Sequence, residues 1–397
     1  MQLGWIDFSK TERSKILSVL DLLSQGGTLD ELGIAPVRDG FSNLFFPGTS
    51  TIQTRAKYFL MVPYACKDLE LCSETVSYKA LKRFEEIERK CGEKLLSQNE
   101  NEKGLIGIDS LKQGNWVKRS PSDIYWAGLR RYGIFTGGNM SVTEYIRSSC
   151  DLKNKKAVLK NLGNRNDSAE ENEADDKNAG NLYKRQFWRI PLYEKEWFDK
   201  LSMDLTKEEG AFLKERIIES CPGTIIAYTL ENNIKEFTDC ESFRDFGALI
   251  GKFPQQIQED YSLALSFSNF NYAMNVVYNT MISGIEQEWE SDEFKLLKEE
   301  MPARADIDID HILLRLGVNK PDLKNFLKQV QACMKEKDIE GMKKLIKSRE
   351  ILLKGAARAK SAHPGEFSGK WSGSTELDYR FSKAKVILKD IFESEVE

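Results

Sequence analysis

Hydrophobic residues recur at intervals of three and four along most of the chain, and this spacing predicts α-helices. Runs in which hydrophobic and polar residues alternate are few, and no β-α-β succession with glycine punctuation occurs. We therefore predict a mostly α, multi-helical protein. The clearest predicted helices cover residues 9–24, 78–96, 207–219, 261–285, 322–333 and 339–357.

One further helix is predicted from the residues at its N-terminus. Residues 120–123 read Ser-Pro-Ser-Asp and precede an apolar run. Serine is a favoured N-cap and proline a favoured first helical residue. The pattern predicts a helix that ends near Gly133.

A second start signal lies at F-P-G-T-S-T-I-Q, residues 46–53. A Pro-Gly turn is followed here by a capping box, in which the side chains of Ser50 and Gln53 bind each other's backbone N–H groups. This pattern predicts a helix that begins at Thr49 or Ser50 and runs towards Pro63.

The same stretch has an alternative interpretation as an anion site. Free N–H groups at a helix start attract anions, and Arg55 follows closely. No lysine follows the glycine in the way a nucleotide-binding P-loop requires, so ATP binding is disfavoured. A capped and packed helix is the favoured interpretation, and anion contact stays open.

The composition changes sharply in an acidic stretch, where residues 164–176 contain no large apolar side chain. Such a run cannot bury enough surface to offset the entropy lost on ordering. We predict two helical lobes, with a disordered or variable acidic insertion between them. The predicted N-terminal domain covers 1–160, the acidic linker or insertion 161–182, and the C-terminal domain 183–397. A variable insertion within one continuous domain is the alternative.

Charge and hydropathy limit the class of protein. The 397 residues carry a net charge of -4, so any contact with nucleic acid requires a local basic patch. No segment approaches the 18 or so uncharged apolar residues of a membrane span. The N-terminus lacks the basic and apolar regions of a signal peptide. We expect a cytoplasmic protein without a membrane partner.

Histidine and cysteine offer little for metal or nucleophilic chemistry. The seven cysteines are spread along the chain without a C-x-x-C pair, and the two histidines are His311 and His363. A zinc site of the usual spacing and a histidine-dependent triad are both disfavoured. We expect no metal and no cofactor. Asp306, Asp308 and Asp310 lack the glycine and the terminal glutamate of an EF-hand calcium loop.

Residues 343–360 form the most basic segment, with seven cations and one acid. On a helix, the hydrophobic residues leave these cations mainly on the other faces. Such a face binds phosphates in some proteins and is merely solvated in others. Nucleic-acid binding by this segment is therefore one open hypothesis. Its cations are Lys343, Lys344, Lys347, Arg349, Lys354, Arg358 and Lys360.

Isolated acids beside aromatic residues or arginine are the remaining candidates for chemistry. Asp7 lies between Ile6 and Phe8, two residues after Trp5, and Asp378 stands beside Tyr379 and Arg380. Helix capping explains both acids well. The alternative is an unrecognised metal-dependent nuclease, which requires Arg55 and a carboxylate to converge in one pocket.

Three of these stretches, together with a fourth near the C-terminus, resemble a bacterial family of unknown function. They are W-I-D-F at 5–8, F-P-G-T-S-T-I-Q-T-R-A-K-Y-F at 46–59, D-I-Y-W-A-G-L-R-R-Y-G-I-F at 123–135, and L-D-Y-R at 377–380. The resemblance extends over essentially the whole chain, apart from the acidic stretch. The matching positions are Trp5, Asp7, Pro47, Gly48, Ser50, Thr51, Gln53, Arg55, Tyr58, Trp126, Gly128, Asp378, Tyr379 and Arg380.

The resemblance implies a function through gene neighbourhood rather than through chemistry. Members are similar to proteins encoded beside helicases of the Snf2 or DEAD-box type and phospholipase-D-like nucleases, in clusters that resemble antiphage defence islands. The leading hypothesis is therefore a non-catalytic helical subunit that works with a helicase and a nuclease. A DNA-binding module and a nuclease are the alternatives. The candidate functional cluster is Asp7, Ser50, Thr51, Gln53, Arg55, Asp378, Tyr379 and Arg380.

Overall fold

The computed structural model describes residues 30–163, 187–191, 193–283, 292–366, 371–373 and 376–395. In this part of the chain 14 α-helices are joined by turns and short 3-10 helices, and no β-strand occurs. Phe135 and Trp188 form an isolated antiparallel bridge. The prediction of a mostly α, multi-helical fold is confirmed.

The α-helices are numbered here in chain order. They are α1 (Ala35–Phe45), α2 (Tyr58–Leu71), α3 (Ser77–Gln98), α4 (Ile108–Lys112), α5 (Pro121–Arg131), α6 (Val142–Gly163), α7 (Lys207–Ser220), α8 (Ile225–Glu231), α9 (Gln255–Ser283), α10 (Asp292–Arg304), α11 (Ile309–Arg315), α12 (Pro321–Lys335), α13 (Ile339–Lys354) and α14 (Phe381–Glu393).

Most of the predicted helices are present. The predictions at 78–96, 207–219 and 322–333 lie within α3, α7 and α12. α13 ends three residues earlier than predicted, because Gly355 follows it with a φ of 79° that leaves the helical region. The predicted helix at 9–24 lies outside the described residues.

The chain forms two compact units. Among the described residues, unit A contains 30–41 and Gln258–Leu377, and unit B contains Ser42–Ile257 and 378–395. Each unit is therefore assembled from stretches that are far apart in sequence. The predicted division into domains 1–160 and 183–397 stays a prediction, since most of the acidic segment lies outside the described residues.

In unit A, α12 packs against α10, α11 and α13. The buried side chains of α12 recur at helical spacing, which gives the helix one continuous apolar face. Pro321 lies at the start of the helix, where its missing N–H costs nothing. The buried residues are Leu323, Phe326, Leu327, Val330 and Met334.

In unit B, α2 packs against α3 and α5, and α7 packs against α8 and α14. α5 begins with the predicted cap, because the Oγ of Ser120 accepts the N–H of Asp123 at 3.2 Å. The carboxylate of Asp123 in turn accepts the N–H of Ser120 at 3.3 Å. Both halves of this capping box are therefore formed.

The predicted helix start at Thr49 or Ser50 is wrong, because α2 begins at Tyr58. Half of the expected capping box is present: the N–H of Ser50 donates to Oε1 of Gln53 at 3.0 Å. The next amides, however, bind side chains that are distant in sequence. The N–H groups of Thr54 and Arg55 donate to the hydroxyl of Tyr125. These bonds hold residues 46–57 as a loop.

Candidate functional site

The guanidinium of Arg55, in the loop before α2, is held by three carboxylates of unit B. Its Nε lies 2.9 and 3.0 Å from the two carboxylate oxygens of Asp390. Nη2 donates to Asp204 at 2.8 Å, and Nη1 lies 3.4 Å from Glu102. We call Arg55, Asp390, Asp204 and Glu102 the Arg55 cluster. It joins the loop to α14 and to the residues before α4 and α7.

Burial makes this cluster a strong structural contact. The side chain of Asp390 is 5% exposed and also accepts the backbone N–H of Ala56 at 2.7 Å. Burial raises the pKa of Asp390, while the charge of Arg55 acts in the opposite direction. Burial also acts to lower the pKa of Arg55, but Asp390 and Asp204 hold that pKa above its ordinary value. Arg55 therefore stays charged and paired with these two carboxylates.

Lys57 adds a second buried ion pair in the same loop. Its Nζ lies 2.6 Å from the carboxylate of Glu209, and both side chains are less than a tenth exposed. Glu209 also accepts the N–H of Thr206 in the capping box of α7. Lys57 and Arg55 thus both hold the residues at the start of α7.

Two glycines from separate motifs meet inside unit B. Gly48 has a φ of 84°, a conformation that L side chains rarely adopt. Its carbonyl oxygen faces Gly128 of α5, where an added Cβ would lie 2.5 Å from that oxygen and 2.7 Å from the ring of Phe59. Only glycine at position 128 allows the loop and α5 to approach so closely.

Asp378, Tyr379 and Arg380 lie directly before α14. The carboxylate of Asp378 accepts the N–H and the hydroxyl of Ser382 at 3.2 and 2.9 Å, as a helix cap does. The ring of Tyr379 is buried against Phe45. Nη1 of Arg380 donates to the carbonyl of Thr49 at 2.9 Å, and so binds the loop that also contains Arg55.

The structure therefore brings together part of the predicted cluster. Ser50, Gln53, Arg55 and Arg380 all contribute to or contact the loop 46–57. Thr51 is exposed there, and Asp378 caps α14 instead of facing Arg55's guanidinium. Asp7 and Trp5 lie outside the described residues. The sequence analysis missed the acidic partners, because an isolated acid such as Asp390 carries no local signal.

Three cations of the predicted basic segment are held by partners within unit A. Arg349 is buried and donates from Nε to the carbonyl of Leu32 at 3.1 Å. Lys354 pairs with the buried carboxylates of Glu31 and Glu350. Lys360 pairs with the same Glu31 at 2.9 Å. Buried acids therefore hold the charges of Lys354 and Lys360, and a backbone carbonyl holds Arg349. Nucleic-acid binding by the segment stays a prediction.

The other cations of the segment are at the surface. Lys344, Lys347 and Arg358 are exposed, while Lys343 pairs with Glu340 at 2.6 Å on the same helix. In the described chain, neither Lys344 nor Lys347 has an ion-pair partner. We call the exposed Lys344 and Lys347 the lysine patch of α13. These two cations remain available for phosphates.

Two of the three acids in the predicted D-x-D-x-D stretch have structural partners. Asp308 caps α11 by accepting the N–H of His311 at 3.0 Å, and Asp310 pairs with Lys324 at 2.7 Å. Within the described ranges, no group of three or more histidine, cysteine or acidic side chains is arranged to hold a metal. No helix within those ranges is long and apolar enough to cross a membrane.

Comparison with known proteins adds one finding. No curated protein and no solved structure matches the chain. The model of a family of unknown function (DUF6361) matches residues 1–167. The matched part contains the motifs at 46–59 and 123–135, whereas the L-D-Y-R stretch at 377–380 lies beyond it. The first 167 residues are thus similar to a family of unknown function, and in the structure two of their motifs meet where Gly48 contacts Gly128.

Proposed function

We propose that this protein is a non-catalytic helical subunit of a bacterial antiphage defence system, acting with a helicase and a phospholipase-D-like nuclease. One observation carries the proposal. The guanidinium of Arg55, in the longest of the four motifs, is taken up by carboxylates of its own unit. A residue held in this way stabilises a fold and is not free to act on a substrate.

A candidate partner surface supports the proposal. Leu71, Val76 and Tyr78 lie within eight residues of each other, at the end of α2 and the start of α3, and each is more than half exposed. Large exposed apolar side chains and aromatic residues are typical of protein contacts. Lys153 donates to the carbonyls of Leu69 and Cys72 at 2.7 and 2.8 Å, which fixes the turn that presents these residues.

The test is a tagged pull-down from the native locus after nuclease treatment, with the co-purifying proteins identified by mass spectrometry. We expect a helicase or a nuclease in near-equal amount. Replacing Leu71 and Tyr78 by glutamate should remove it without unfolding the protein. The matched control is Leu314→Glu, which changes an exposed leucine of unit A. If the tagged protein, expressed from its native locus, is recovered without a partner, the proposal is overturned.

DNA binding through the lysine patch is a second candidate. The observation that favours it is the exposure of Lys344 and Lys347 on one helix, about one turn apart. Cations arranged in this way neutralise phosphates and give binding that weakens steeply with salt. Titration of the protein with duplex DNA at several salt concentrations tests it. Binding that does not depend on salt would exclude this mode.

The nuclease alternative has less support. Its arginine, Arg55, and one of its acids, Asp378, each have structural partners. An enzyme would need such groups to face one reacting centre.

A further inference from the structure

We propose that a cavity in unit B binds a small organic oxyanion, with one carboxylate or phosphate group on an apolar body. The cavity measures about 670 Å³ and lies between α7 and the bridged residues around Trp188. This size is within the range of small-molecule sites. Two arginines and two partly exposed apolar side chains line it: Arg189, Arg216, Ile190 and Phe212. The proposal does not depend on the proposed function.

Arg216 is the buried cation of this site. It lies on α7 and is only 7% exposed, although it carries a full charge and five N–H donors. Within the described chain its hydrogen-bond partner is Glu219, which binds Nη2. The Nε and Nη1 donors have no partner there. Because Arg216 lines the cavity, an oxyanion inside it would satisfy donors that the protein leaves open.

Arg189 supplies the second cation, at the rim. Its backbone N–H donates to the carbonyl of Ile134 at 2.8 Å, so its position is fixed by the bridge. Its side chain is exposed and has no ion-pair partner among the described residues. Guanidinium groups match carboxylates and phosphates through paired, fork-shaped hydrogen bonds. Two of them at one cavity therefore favour an oxyanion over a neutral ligand.

The acids of the site limit the charge of the ligand. Glu215 also lines the cavity, and Glu219 pairs with Arg216. Two carboxylates offset the charge of two arginines, which disfavours a polyphosphate and favours a ligand with a single acidic group. Ile190 and Phe212 supply apolar surface for the remainder of the molecule.

The test measures binding of benzoate, phenyl phosphate and neutral benzamide to the full chain by isothermal titration calorimetry. We expect saturable binding of at least one anion, and binding of benzamide at least tenfold weaker. The anion that binds more tightly identifies the acidic group. Equal binding of benzamide, or no saturable binding of either anion by the folded protein, overturns the proposal.

Variants then locate the binding. Arg216→Gln should weaken binding of the anion at least tenfold. Because Arg216 is buried, this variant also changes the free energy of unfolding, so two exposed positions are tested as well. Arg189→Gln and Glu219→Gln alter exposed side chains, and they should weaken and strengthen binding severalfold, respectively. Arg83→Gln, at an exposed arginine of the same unit, is the control. Unchanged affinity in both exposed variants would also overturn the proposal.

Discussion

The Arg55 cluster of unit B and the basic segment 343–360 of unit A both attract attention in the sequence because of their cations. In the Arg55 cluster the cation is surrounded by acids. In the basic segment some cations are buried on acids, such as Lys354 on Glu31, and others, such as Lys344, remain at the surface. A cation in a sequence pattern therefore does not by itself indicate whether the residue stabilises the fold or binds a ligand.

The difference follows from where the acidic partner comes from. Asp390 is separated from Arg55 by 335 residues, and Glu31 lies more than 300 residues before Lys354. Burying a charge without its partner is costly, so partners meet when the chain folds. Cations that find such partners hold the fold, and those that do not are available for ligands.

Among these tests, replacing Arg55 should cause the largest loss of stability. We expect Arg55→Ala to lower the free energy of unfolding by about 3–5 kcal/mol, because it leaves the buried carboxylate of Asp390 uncompensated. Urea denaturation followed by circular dichroism measures it. The control is Arg83→Ala, which removes an exposed ion pair with Glu86 and should cost less than about 1 kcal/mol. Equal stability of the two variants would make Arg55 a candidate for direct action on a ligand again.

Glu88 sharpens the comparison, since it is a buried acid for which the described chain offers no cation. It accepts the N–H and the hydroxyl of Ser122 at 2.7 and 3.1 Å. Burial raises the pKa of Glu88 from 4.5 to about 8, although the bonds from Ser122 lower it. Above that pKa the folded protein must hold a charge that the unfolded chain hydrates freely.

We therefore expect Glu88→Gln to stabilise the protein at pH 9 by at most about 5 kcal/mol, because a rise in pKa from 4.5 to about 8 is about 3.5 units at about 1.4 kcal/mol each. The raised pKa means that the folded state binds more protons than the unfolded state between pH 4.5 and about 8. The gain should thus appear over this window and vanish near pH 4.5. Denaturation of the variant and of Glu86→Gln, at an exposed acid of the same helix, measures it. A gain that is independent of pH would contradict the assignment.

Gly128→Ala tests whether the shared motifs hold the fold of unit B. Its Cβ would collide with the carbonyl oxygen of Gly48 and with Phe59. We expect a loss of about 1–3 kcal/mol in the free energy of unfolding, although alanine favours helices more than glycine does. Gly251→Ala, where nothing lies within 4 Å of an added Cβ, is the matched control. If Gly128→Ala is as stable as this control, the two motifs do not pack tightly.

The smallest effect on stability is expected at the lysine patch. Replacing Lys344 and Lys347 by glutamine should change the free energy of unfolding by less than about 0.5 kcal/mol, since both side chains are exposed. If the patch binds DNA, the slope of log affinity against log salt should become shallower by about 0.9 for each phosphate that is no longer neutralised. Lys79→Gln, at an exposed lysine of unit B, should leave the slope unchanged. An unaltered slope in the double variant would remove the patch from DNA binding.

Helices with a continuous apolar face were predictable with few errors. α7 and α12 begin within a residue of their predicted starts, because the signal lies in the spacing of neighbouring residues. The start of α2 was not predictable in this way. The capping signal at Ser50 is real, since its N–H does bind Gln53. The N–H groups of Arg55 and Ala56 donate instead to Tyr125 and Asp390, and these tertiary bonds outweigh the local signal, so that the helix begins only at Tyr58.

By itself, then, the sequence determined the helical class, the bounds of helices such as α7 and α12, and the capping box of α5, because each depends on residues within a few positions of one another. Only the tertiary structure decided that Arg55 is bound by Asp390 and that Lys344 stays exposed. It also decided that Arg216 lines a cavity with open donors. Such outcomes depend on burial and on partners hundreds of residues away, and local spacing contains no information about either.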